Sequence, residues 1–152
     1  MKLYIDTSVW NFALETDRPN SFLTNEFLQL LSEENYEAVI SDIVMSEIEK
    51  ATELRKFDLL ELLRLINVSK ISPTDEMKNL AKVYIKENLI PLRHIDDALH
   101  IAIATVSRCN FIVSWNFQHI VKAKVIMGVH HINYREGYSL IEIVTPQLFL
   151  GK

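Results

Sequence analysis

Short runs of apolar, largely β-branched residues separate longer segments with helical spacing, and this alternation limits the chain more than any other feature. The runs fall at residues 2–5, 38–40, 68–71, 111–113 and 140–144. None alternates polar with apolar, so each predicts a strand buried on both faces. Between them, apolar residues recur every three or four positions. The spacing predicts helices over 22–31, from Asp42 to about residue 56, over 59–66, from the Ser72-Pro73-Thr74-Asp75-Glu76 start to about residue 88, over 95–108 and over 125–134. Strands that alternate with helices build a parallel sheet covered on both sides. The expected fold is α/β, a three-layer α/β/α sandwich around a mainly parallel sheet of four to five short strands.

The 152 residues suit one domain spanning 1–152, with enough chain to bury a core without disulfides. Three glycines and four prolines, dispersed, mark no linker. Cys109, the only cysteine, can neither close an internal disulfide nor build a zinc cluster, and its apolar neighbours predict a buried thiol. No apolar run approaches the roughly 20 residues that cross a bilayer, and no leader-like segment opens the chain. A cytoplasmic protein without membrane contact is the expectation. A net charge of −4 argues against coating nucleic acid by bulk electrostatics, yet suits a local surplus of acid that holds a cation.

In open α/β sheets, ligands bind beyond the carboxyl ends of the strands. Asp6 and Asn116 each lie just past an apolar strand, so the fold would carry both to one edge. Asp6 alone reads equally as a turn former. Glu47 is more telling, because its helical neighbours Ile43, Val44 and Ala51 are apolar, while Glu49, Lys50 and Glu53 take the solvated side. A carboxylate turned toward a core needs a partner or a cation. Asp96 and Asp97 open the alanine-rich helix, where one acid suffices for the helix terminus; Asp96 is assigned to capping or support and Asp97 to the site. Ser8, Ser114 and Asn116 are supporting candidates with an equal claim as turn residues. The five histidines suggest no ligand set: His100 is expected to pack, and His119 is a weak candidate for phosphate contact.

On Asp6-Thr7-Ser8-Val9, Ser46-Glu47-Ile48, Asp96-Asp97-Ala98-Leu99-His100-Ile101-Ala102 and Ser114-Trp115-Asn116-Phe117, the chain resembles the PIN-domain family, which includes VapC-type toxins. The centres are 41, 50 and 19 residues apart. The resemblance implies a metal-dependent ribonuclease in which Asp6, Glu47 and Asp97 are catalytic and hold Mg²⁺ or Mn²⁺. It implies hydrolysis of RNA by metal-activated water, a small antitoxin as partner and a homodimer. Family members often carry a further Asp where this chain has Asn116.

Two other readings compete. A phosphatase of the haloacid-dehalogenase kind would need a second Asp two residues after Asp6, where Ser8 stands. An inactive PIN-like module that binds RNA or protein would be expected to relieve Glu47 of its apolar setting. Arg93, Lys122 and Lys124 are candidate phosphate contacts by proximity to the motifs. Trp10, Phe12 and Phe22 could meet a second copy, although core packing explains them as well.

Overall fold

The computed structural model describes residues 1–151. Five strands form one parallel sheet: β1 (Lys2–Ile5), β2 (Glu37–Ser41), β3 (Ser69–Ile71), β4 (Phe111–Val113) and β5 (Glu142–Val144). Their spatial order is β3-β2-β1-β4-β5, with every neighbouring pair parallel. Helices complete the three-layer α/β/α architecture: α1 (Thr7–Leu14), α2 (Pro19–Glu33), α3 (Asp42–Glu49), α4 (Glu53–Ile66), α5 (Asp75–Lys86), α6 (Ile95–Val106) and α7 (Ala123–Arg135). Leu3, Tyr4 and Ile5 on β1, with Val39, Ile40, Ile112 and Val113, are fully buried, as the two-sided apolar pattern requires. No helix among the described residues is long and apolar enough to cross a membrane.

The order of strands explains where a site can form. β1 leads to β2 on one side, and β2 to β3 beyond it. The chain then returns through α5 and α6 to place β4 on the opposite side of β1. The strand order therefore reverses between β1 and β4, and a crevice opens at their carboxyl ends. Asp6 N–H donates to Val113 O at 3.2 Å, which locks the two strand ends together at that point.

Three local expectations change. Helix α1 begins directly at Asp6-Thr7-Ser8, where only the end of a strand was expected. Asp6 caps it by accepting from Ser8 N, and Thr7, Val9, Trp10 and Ala13 bury one face. The helix expected from Asp42 to about residue 56 is two helices, because the Thr52 side chain accepts from Arg55 N and caps a new start at Glu53. Trp10 is fully buried and donates Nε1–H to Ile5 O at 3.4 Å, so it serves the core and offers no surface to a second copy. Phe12 is half-buried against Trp115, whereas Phe22 is exposed. Cys109 is buried as expected, and burial pushes its thiol up to about 11.

Candidate active site

Asp6 occupies the switch point. It sits between β1 and α1 with 3% of its surface exposed. Oδ1 accepts from Ser8 N at 3.0 Å and from Ser8 Oγ at 2.5 Å, and Oδ2 accepts from Ser114 Oγ at 2.7 Å. The two serines also tie the strand ends together. Trp115 N–H donates to Ser8 Oγ at 2.9 Å, and Asn116 N–H donates to Ser114 Oγ at 2.9 Å. Burial raises the Asp6 pKa despite these donors and the nearby His100, and the charge of Glu47 pushes the same way. A buried carboxylate in this setting gains from a cation.

Glu47 projects from α3 at the edge of its buried stripe, where Val44 and Ile48 point inward. Its Oε1 accepts from Thr7 Oγ1 at 3.0 Å and contacts His100 Nε2 at 2.7 Å. Burial opposes its charge, but His100, through hydrogen bond and field, with help from Thr7, holds it below the usual carboxylate range. His100 is itself almost wholly buried, and its other nitrogen, Nδ1, lies 2.7 Å from the Tyr4 hydroxyl. Tyr4 in turn meets Ser41 Oγ at 2.7 Å, which accepts from Ile43 N–H at 3.2 Å. With His100 neutral and carrying its proton on Nε2, every donor in this chain finds one acceptor: Ile43 N–H to Ser41, Ser41 to Tyr4, Tyr4 to Nδ1, and Nε2–H to Glu47. His100 is thus an organising residue rather than packing alone. Burial depresses its pKa, but the fields of Asp6, Glu47 and Asp97, with the Glu47 hydrogen bond, raise it overall. Glu47 thus contacts this imidazole directly, and Asp6 and Asp97 act on it through their charge.

Asp97 enters from the first turn of α6 and meets His119 Nδ1 at 3.1 Å through Oδ2. His119 belongs to the turn after β4. The Asn116 side-chain oxygen fixes that turn by accepting from Gln118 N at 3.1 Å and His119 N at 2.9 Å. Asn116 therefore shapes the loop through the oxygen that a cation would otherwise use. Asp96 lies in the same first turn as Asp97, but α6 has no side-chain cap. Its contribution there is negative charge at the positive end of the helix. His94, at the N-cap position of α6, stacks on His119 with centroids 3.9 Å apart.

Among the described residues, one set of metal-ligating side chains brings one ligand atom from each within 4.8 Å of the others, and it is His94, Asp97 and His119. The histidines thus do gather, contrary to the sequence expectation, and they gather on an expected acid. Asp6 and Glu47 stand outside that set. The signal was present: His94 precedes Asp97 by one helical turn, and His119 follows Asn116 by three residues in a strand-end turn. Lys122 and Lys124 line a groove of about 580 Å³ that reaches His119, with Leu89, Pro91 and Gln118 on its other walls. Arg93 is exposed one residue before His94.

The PIN-domain family model matches residues 3–120, which contain every one of these acids. The chain belongs to the PIN-domain family. Its fold is similar to a chain in the crystal structure of VapBC2 from Rickettsia felis bound to a DNA fragment from their promoter. The TM-score is 0.63 at 14% identity, with 95% of this chain and 98% of that chain covered. Curated protein sequences offer no significant match to this PIN-domain chain. Membership of this family places the chain in a group whose members are generally nucleases.

Proposed function

We propose that this PIN-domain protein is a metal-dependent endoribonuclease acting on single-stranded RNA, and the toxin of a toxin–antitoxin pair. The observation that supports this best is Asp6, buried at the switch point between β1 and β4 with both its oxygens aimed by Ser8 and Ser114. No lysine or arginine forms a salt bridge with Asp6, Glu47 or Asp97 among the described residues. Hard carboxylate oxygens without a lysine or arginine partner suit Mg²⁺ or Mn²⁺, which take oxygen ligands and retain waters. Asp6, Glu47 and Asp97 would hold the ion. When bound, it would supply positive charge to the scissile phosphate and lower the pKa of a water.

The chain's own residues prepare that position. Ser8 and Ser114 aim the two oxygens of Asp6. Thr7 and His100 both bond Glu47 at Oε1, which leaves Oε2 to meet a ligand. Lys122 and Lys124 along the adjoining groove can take backbone phosphates. On the other flank, Phe12, Arg18, Trp115 and Phe117 line a second groove of about 460 Å³. Phe117 is 55% exposed there and stands edge-on to Trp115. An exposed aromatic beside a cationic side chain stacks unpaired bases, which favours a single-stranded substrate.

A small antitoxin and a second copy of the chain belong to the same reading. Helix α4 exposes Leu54, Phe57 and Leu65, apolar area that such contacts would cover. Incubating purified protein with labelled single-stranded RNA in Mg²⁺, in Mn²⁺ and in EDTA tests the activity. Cleavage only with the ion supports the proposal, and cleavage indifferent to EDTA contradicts it.

A further inference from the structure

We infer that His94, Asp97 and His119 form a nitrogen-rich metal position that selects a transition ion, Mn²⁺, Co²⁺ or Zn²⁺, over Mg²⁺. Three observations support it independently of any reaction. First, one ligand atom from each residue lies within 4.8 Å of the other two. Second, Asp97 Oδ2 and His119 Nδ1 are 3.1 Å apart. Two ligands at right angles on one ion, each about 2.1 Å from it, sit about 3 Å apart, so that pair needs almost no movement. Third, the groups are held in place by the fold. His94 and Asp97 share one face at the start of α6, and Asn116 clamps the His119 backbone. The His119 and Asp97 side chains are 12% and 18% exposed, enclosed yet open to an ion from solvent.

The donor set decides which ion is taken. Two imidazoles and one carboxylate match the ligands of first-row transition metals, whereas Mg²⁺ prefers oxygen and gives up its waters reluctantly. Affinity should rise from Mn²⁺ through Co²⁺ toward Zn²⁺. Asp97 would then serve this ion and, if the nuclease proposal holds, also border the position formed by Asp6 and Glu47. Only that bearing on RNA cleavage rests on the nuclease reading.

Co²⁺ titration of the full chain, followed by its visible absorption, tests the site directly because the spectrum reports nitrogen ligation without any substrate. Wild type should develop the bands at one equivalent. His119→Ala and His94→Ala should each weaken binding at least 10-fold, and Mg²⁺ should not displace the Co²⁺ at comparable concentration. The milder His119→Gln and His94→Gln, checked by circular dichroism, keep the test valid if an alanine variant unfolds. Folded variants with wild-type Co²⁺ spectra and affinity would overturn the inference, even if the chain cleaves RNA. Loss of the bands in the variants would uphold it, even if no RNA is cleaved.

Discussion

His100 Nε2 lies 2.7 Å from Glu47 Oε1, so the candidate site acid on α3 is aimed by a buried histidine on α6. The same ring is held at Nδ1 by Tyr4, which is fixed by Ser41. Groups that orient a ligand in this way typically carry 10- to 100-fold of affinity or activity. His100→Ala should lower RNA cleavage by about 10- to 100-fold and weaken Mn²⁺ binding. Tyr4→Phe, which keeps the ring but frees Nδ1, should lose less. Steady-state cleavage and Mn²⁺ titration of both variants check this. Equal activity in all three proteins would show that His100 only packs.

The burial of Asp6 sets the pH dependence. Its folded pKa is raised, so its contribution to stability is complete below the usual carboxylate range of about 4 and is lost as pH rises through the elevated value. His100 is also raised, and its contribution is lost above its usual range of about 6.5. Glu47 is lowered, so its contribution persists above the carboxylate range and is lost only as pH falls through the depressed value. The ion must displace the proton that burial favours on Asp6, and a positive charge on His100 opposes it. Thermal unfolding at about pH 5.5 and about pH 8 should therefore show a larger Mn²⁺-induced rise in Tm at the higher pH. An equal rise at both would separate metal binding from these groups.

Phe117 projects beside Trp115 just past the strand end that carries Ser114. Base stacking on an aromatic ring is worth about 1–3 kcal/mol. Phe117→Ala should weaken single-stranded RNA binding about 5- to 150-fold while leaving Tm nearly unchanged, because the ring is largely exposed. Fluorescence anisotropy with a catalytically silent Asp6→Asn background reads this. Unaltered affinity would place the RNA elsewhere.

Away from the site, Tyr84 donates to Asn133 Oδ1 at 2.5 Å, and Asn133 Nδ2 donates to Thr105 Oγ1 at 3.0 Å, all buried. Removing the hydroxyl leaves the Asn133 oxygen without its donor. Tyr84→Phe should cost about 1–3 kcal/mol in chemical denaturation. A cost near zero would indicate that water replaces the lost donor.

The parallel sheet was legible because β1, β2 and β4 are apolar on both sides, a pattern with few other outcomes. Asp6 and Asp97 were legible from their places at a strand end and a helix start. Helix α1 was hidden because Asp6-Thr7-Ser8 satisfies a turn as well as a cap, and only the burial of Val9, Trp10 and Ala13 decides between them. The histidine set was hidden for a different reason. The spacing of His94 and Asp97 puts them one turn apart. The approach of His119 from the loop after β4, like that of His100 on α6 to Glu47 on α3, is a contact between segments that periodicity within one of them does not carry. Asn116 had an equal claim as a supporting or a turn residue, and its side-chain oxygen folds the turn that delivers His119.

The most direct test of the central claim is the initial rate of single-stranded RNA cleavage by wild type and Asp6→Asn in Mn²⁺, with and without EDTA. Substitution removes the negative charge at the switch point while leaving a side chain of the same shape. The account predicts cleavage by wild type that EDTA abolishes, and at least a 100-fold lower rate for a folded Asp6→Asn protein. Equal rates for the two proteins, or wild-type cleavage that survives EDTA, would contradict it.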